Sequence, residues 1–191
     1  PLTVLTRCAA AVATVPVVMR HHPEACVVWF DAHADLNTPE TSPSGYLGGM
    51  VIAAAAGLWD SGFGGGLPLP QLVLVGVRDV DPPEQHVIDT SGVRSVAAGH
   101  GVGQALRQAV AGRPVYVHLD VDVLEAGLLP TDFAVPGGLS WVQLQAACAV
   151  LAEGDVLGLE MAELERRDGP GEDQGVARLV DAVSPLLARL P

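Results

Sequence analysis

Short apolar runs that stop at clustered aspartates constrain this chain more than any other feature. Cys26 to Phe30 is five apolar residues running straight into Asp31-Ala32-His33-Ala34-Asp35, and Val115 to Leu119 leads into Asp120-Val121-Asp122. Runs of this length are too short for helices. They are also too uniformly apolar for strands with one wet face, so they read as strands buried on both sides, the habit of a parallel sheet.

The same pattern recurs along the chain. Thr3 to Leu5, Leu72 to Val77, Val93 to Ala97 and Val156 to Met161 read as further strands. Helical patterns fall between them: 8–20, disturbed by Pro16; 47–59; a short helix opened by Pro82-Pro83; 102–110; a helix N-capped by Ser140 and running to Leu151; and 174–190. Six strands alternating with helices imply a layered α/β fold with a mostly parallel sheet. A length of 191 residues suits one domain.

Composition narrows the function classes. Ten basic against 22 acidic residues give a net charge of -12, which leaves no basic footprint for nucleic acid or an anionic membrane. No apolar run approaches the ~18 residues that span a bilayer. Cys8, Cys26 and Cys148 are odd in number and far apart, which argues against a disulfide framework and for a reducing, cytoplasmic setting.

In a parallel α/β sheet, ligands bind beyond the carboxyl ends of the strands, where both aspartate clusters fall. An extended segment projects residues i, i+2 and i+4 to one side, so Asp31, His33 and Asp35 converge, as do Asp120 and Asp122. Acids so close are untenable unless cations neutralise them or protons stay bound. Carboxylates with some imidazole suit Mn²⁺, and two such ions could ionise a water at neutral pH, so a dinuclear metal hydrolase is the physical expectation. The plainer alternative makes Asp31 and Asp120 helix caps and His33 a surface histidine.

The strings DAHADLNTPETSPSG, RDVDPPE, HLDVDVLE and PGGLS, in this order, resemble the ureohydrolase family of arginases, agmatinases and related amidinohydrolases. The resemblance covers essentially the whole chain. It implies a three-layer arginase-like fold lacking the family's N-terminal strands, so that 1–191 reads as one domain incomplete at its N-terminus, with the strand at Thr3 to Leu5 a sticky edge. It further implies two Mn²⁺ ions and hydrolysis of the guanidino group of a small arginine-like amino acid to urea and ornithine by metal-bound hydroxide. No nucleic-acid or membrane partner is implied, and a homo-oligomer is allowed.

Carried over by position, Asp31 and Asp120 bridge the two metals, Asp35 completes one set and hydrogen-bonds the nucleophile, and His33 and Asp122 complete the other. Cys8 stands where the family has a metal-binding histidine; a softer sulfur ligand weakens that site for Mn²⁺. Cys8 also reads as a small buried filler. Glu163 matches the guanidino-binding glutamate, or is a solvated charge beside Glu165, Arg166 and Arg167. Asn37, Ser42 and Ser44 match positions that bind the substrate α-carboxylate, and Asp81 the one that meets the α-amino group. Glu84 either assists through water or favours a helix dipole.

Gly48 replaces the family's proton-shuttling histidine. Phe133 alters the pocket floor, and His118 is either a partner of a ligating carboxylate or a packed strand residue. Cys8 together with NTPET, GYLGGM, GLWDSG and DVLE looks closest to the hydroxyarginine-hydrolysing branch, whose product is hydroxyurea. The alternative is a non-catalytic relic that keeps the fold and one metal.

Overall fold

In a computed structural model of the chain, residues 1–165 and 172–190 are described, without the side chains of Glu172 and Asp173. Six parallel strands form one sheet: β1 (Leu2–Val4), β2 (Cys26–Phe30), β3 (Leu72–Val75), β4 (Arg94–Val96), β5 (Val115–Asp120) and β6 (Val156–Ala162), in the order β1-β6-β5-β2-β3-β4. The helices are α1 (Ala11–His21), α2 (Val51–Ala55), α3 (Pro82–Ser91), α4 (Val102–Val110), α5 (Trp141–Leu151) and α6 (Glu172–Leu187).

Strand β2 shows why three layers form. All five of its residues are buried, and they alternate between two cores. Cys26, Val28 and Phe30 pack with Leu106 of α4, Leu144 of α5 and Val183 of α6, whereas Val27 and Trp29 pack with Val12 and Val15 of α1 and Ile52 of α2. The period-two pleat therefore feeds one helical layer on each face.

Several boundaries move, each for a local reason. Helix α1 is preceded by a 3₁₀ turn at Cys8–Ala10, and it continues through the buried Pro16 rather than breaking there. The helix expected over 47–59 is a 3₁₀ turn at Gly48–Met50 followed by the five residues of α2, closed where Gly57 takes φ +77°. Strand β3 stops two residues early because Gly76, at φ +84°, turns the chain so that the Arg78 and Asp79 amides donate to the Ala32 carbonyl. Ser140 does cap α5, in a reciprocal box with Gln143. Strand β1 lies at the sheet edge with Leu2 50% and Val4 69% exposed.

The chain builds β2, β3 and β4 outward in one direction, then returns to place β5 on the other flank of β2. The carboxyl ends of β2 and β5 thus form the point where winding reverses, the usual place for a ligand crevice.

Candidate functional site

Register decides what meets at that crevice. Trp29 pairs with His118 and Phe30 with Leu119, so Asp31 and Asp120 emerge side by side. Main-chain amides then fix the carboxylates: Asp31 Oδ1 accepts from the His33 amide at 2.7 Å, Asp122 Oδ1 from the Ala32 amide at 2.9 Å, and Asp120 Oδ1 from the Asp122 amide at 2.8 Å. Trp29 Nε1 donates to Asp31 Oδ2 at 3.1 Å. Each carboxylate is held by one or both oxygens to a rigid strand end, and Asp31, Asp120 and Asp122 are buried.

Two groups of ligand atoms result, each with its members within 4.8 Å of one another: Cys8, Asp31 and Asp120; and Asp31, His33 and Asp122. Asp31 belongs to both. Asp35 joins neither group, although it is buried, lines the same cavity and has an Oδ2 without a hydrogen-bond partner. Asp122 Oδ2 is likewise unpartnered: His33 Nδ1 lies 3.1 Å away but out of line for a hydrogen bond.

Burial pushes Asp31 up to about 6, with repulsion from Asp122 adding and contacts from His33 opposing. Burial and then the neighbouring Asp31 carry Asp35 and Asp120 well above the usual carboxylate range. Burial opposes a charge on His33, but the Asp122 and Asp31 carboxylates outweigh it and raise the imidazole to about 11. The Cys8 thiol is pushed well up by burial and by Asp120, Asp31 and Asp35. Buried oxygens without donors, crowded by like charges, fit two adjacent divalent cations sharing Asp31, one with a sulfur donor and one with an imidazole.

Every position singled out from the sequence as a ligand or substrate contact lines one cavity of about 360 Å³. Asn37 Nδ2 donates to Asp81 Oδ2 at 2.9 Å, and the Ser42 and Ser44 hydroxyls accept from the Gly45 and Tyr46 amides. Glu84 is a structural brace, buried and accepting from the Leu36 and Asp81 amides. Glu163 is not a solvated charge. It is 1% exposed and accepts from the Cys8 amide at 2.7 Å, Arg7 Nη1 at 2.8 Å and the Tyr46 hydroxyl at 3.1 Å. Its proposed neighbours Arg166 and Arg167 lie outside the described residues. Asp35 and Glu163 both hold left-handed backbones, at φ +53° and +63°, the kind of strain that collects at working sites.

A model of the arginase family matches residues 9–178. The chain belongs to the arginase family. It is 46% identical over 187 residues to N(omega)-hydroxy-L-arginine amidinohydrolase of Streptomyces lavendulae, a match covering 96% of this chain and 68% of that relative. It is 30% identical over 192 residues to an arginase of Glaciozyma antarctica, covering 90% of this chain but only 55% of the relative, so it spans little more than half of that protein. Arginase from Bacillus subtilis superposes with a TM-score of 0.88 at 27% identity, over 98% of this chain and 71% of the other.

Within the arginase family fold, three positions gain a physical account. Gly48 leaves space that the Tyr46 ring fills, and any Cβ there would strike that ring. His118 resolves into both of its readings: its ring stacks on Trp29 with centroids 3.5 Å apart, while Nε2 lies 3.0 Å from Cys8 Sγ and Nδ1 2.7 Å from Glu160 Oε1. Phe133 is at the rim rather than the floor, 42% exposed, with its ring centroid 5.4 Å from that of Tyr46. Arg7, Tyr46 and Glu160 were not singled out from the sequence, because their partners are distant in the chain and follow no local period.

Proposed function

We propose that the chain is a divalent-metal amidinohydrolase, with Mn²⁺ the expected ion, that cleaves the guanidino or hydroxyguanidino group of an arginine-like amino acid to urea or hydroxyurea and ornithine. The observation that carries this reading is the pair of ligand groups sharing Asp31 on the floor of a cavity that Glu163 also lines. Cys8, Asp31 and Asp120 would hold one ion and Asp31, His33 and Asp122 the other. When bound, the ions would neutralise the acids and supply a water ionised at neutral pH.

The remaining work falls to the chain's own groups. Glu163 orients the guanidino group by accepting a hydrogen bond from it on Oε2, which holds only the Arg7 donor. Asp35 Oδ2, buried and unpartnered, takes a proton from the attacking water and passes it to the departing nitrogen, which leaves as the amine. Asn37 and the Ser42 and Ser44 hydroxyls donate to an α-carboxylate at the cavity mouth, while Asp81 accepts from an α-amino group. That double recognition favours an amino acid over a bare amine.

Protein loaded with Mn²⁺ is to be incubated separately with L-arginine, Nω-hydroxy-L-arginine and agmatine, and urea or hydroxyurea measured. Turnover of an amino-acid substrate in excess of agmatine is expected. Folded, metal-loaded protein that turns over none of the three would overturn the reading.

A further inference from the structure

Glu163 is already paired within the chain. Arg7 Nη1 lies 2.8 Å from Oε2, while Nη2 lies 3.1 Å from Asp132 and 3.0 Å from Glu165, so one guanidinium is gripped by three carboxylates. The Glu163 side chain is 2% exposed and that of Arg7 38%, and Arg7 is not among the residues that line the cavity. The arginine therefore reaches the carboxylate from outside the cavity lining and, taking one position on Oε2, leaves that oxygen able to accept one more hydrogen bond. The Cys8 amide and the Tyr46 hydroxyl donate to Oε1.

We propose that Arg7 is a specificity-determining residue: by holding Glu163 in an internal ion pair, it sets the pocket to take a neutral N-hydroxyguanidine in preference to a guanidinium cation. This rests on the amidinohydrolase reading above. A second guanidinium on the same carboxylate would sit within a few Å of Arg7, and two like charges at that separation repel even though solvent screens the half-exposed Arg7 in part. A guanidinium stays protonated throughout the working pH range, so it cannot escape the repulsion. An N-hydroxyl group withdraws electrons and lowers the basicity of the guanidine, so its uncharged form is accessible. That form still donates N–H bonds to Glu163 and meets no opposing charge.

The test compares wild-type protein with Arg7→Ala and Arg7→Lys, all loaded with Mn²⁺. Dissociation constants for L-arginine and Nω-hydroxy-L-arginine are measured by calorimetry, alongside kcat/KM for each. Arg7→Ala is expected to shift the affinity ratio at least about tenfold toward L-arginine, and Arg7→Lys to keep the wild-type preference. An unchanged ratio in Arg7→Ala, with both ligands still bound, overturns the role of Arg7 and leaves the proposed function standing. Loss of both ligands in Arg7→Ala makes Arg7 a prop for Glu163 and also overturns it. Wild-type protein that binds and hydrolyses neither ligand removes the amidinohydrolase reading and this inference with it.

Discussion

At the residue scale, each side chain in the site depends on a specific neighbour, and substitutions sort by which neighbour is lost. Asp31 serves both ligand groups and Asp122 one. Asp31→Asn is therefore expected to abolish Mn²⁺ binding, and Asp122→Asn to leave about one ion per chain, as read by elemental analysis; equal losses would refute the sharing. Glu160 is the anchor behind the site. Burial alone would raise its carboxyl, but His118, Thr14 and Tyr116 all hydrogen-bond it and bring it below the ordinary value of 4.5. A carboxylate lowered in the folded state contributes stability above its unfolded value and loses it as pH falls through the folded one. Glu160→Gln is thus expected to cost about 3 kcal/mol at pH 7, the scale of breaking a buried pair. Denaturation by urea should show the gap from wild type closing below about pH 4.

At the element scale, the loops beyond the strands are tied together by one arginine. Arg78 donates to the carbonyls of Gly76, Asp122, Val135 and Pro136, joining the ends of β3 and β5 to the 133–137 segment. Arg78→Met is expected to cost about 1–3 kcal/mol, since several partly buried carbonyls lose a charged donor at once. It should also weaken Mn²⁺ binding through Asp122; a full melting temperature with normal metal content would count against this. The strands themselves were legible because a buried strand must be apolar throughout and a parallel sheet must end it at a polar residue, as at Phe30-Asp31. The two aspartate clusters implied that β2 and β5 end side by side, as they do, but the positions of β1, β4 and β6 were not legible because those strands carry no such shared chemistry. The extent of α2 was misread for a local reason: the apolar pattern continues past Ala55, but Gly57 turns the chain.

At the scale of the whole molecule, the carboxylates were readable from their spacing, while the ion pair that changes the meaning of Glu163 was not. Arg7 and Glu163 are 156 positions apart, and only the fold brings β1 beside β6 so that they meet. A folded chain carrying this much buried acid is expected to gain stability on metal binding. Mn²⁺ at about a hundred times its Kd adds about 2.7 kcal/mol, which for a chain of this size raises Tm by about 5–10 °C. A chelator should reverse the shift, and a Tm indifferent to both additions would argue against a built metal centre.

The closeness of Cys8 and Asp120, 112 positions apart and joined by a 3.0 Å contact, carries a kinetic consequence. In the sheet, β1 and β5 are joined only through β6, so these atoms meet once β6 has paired between them, which closes a long loop at an entropic cost and belongs late in folding. Ions added during refolding would then find no complete ligand set to seize early, so they should slow unfolding while leaving the refolding rate largely unchanged. Stopped-flow traces with and without Mn²⁺ would read this directly, and faster refolding with the ion present would mean that the ligands gather before the sheet does.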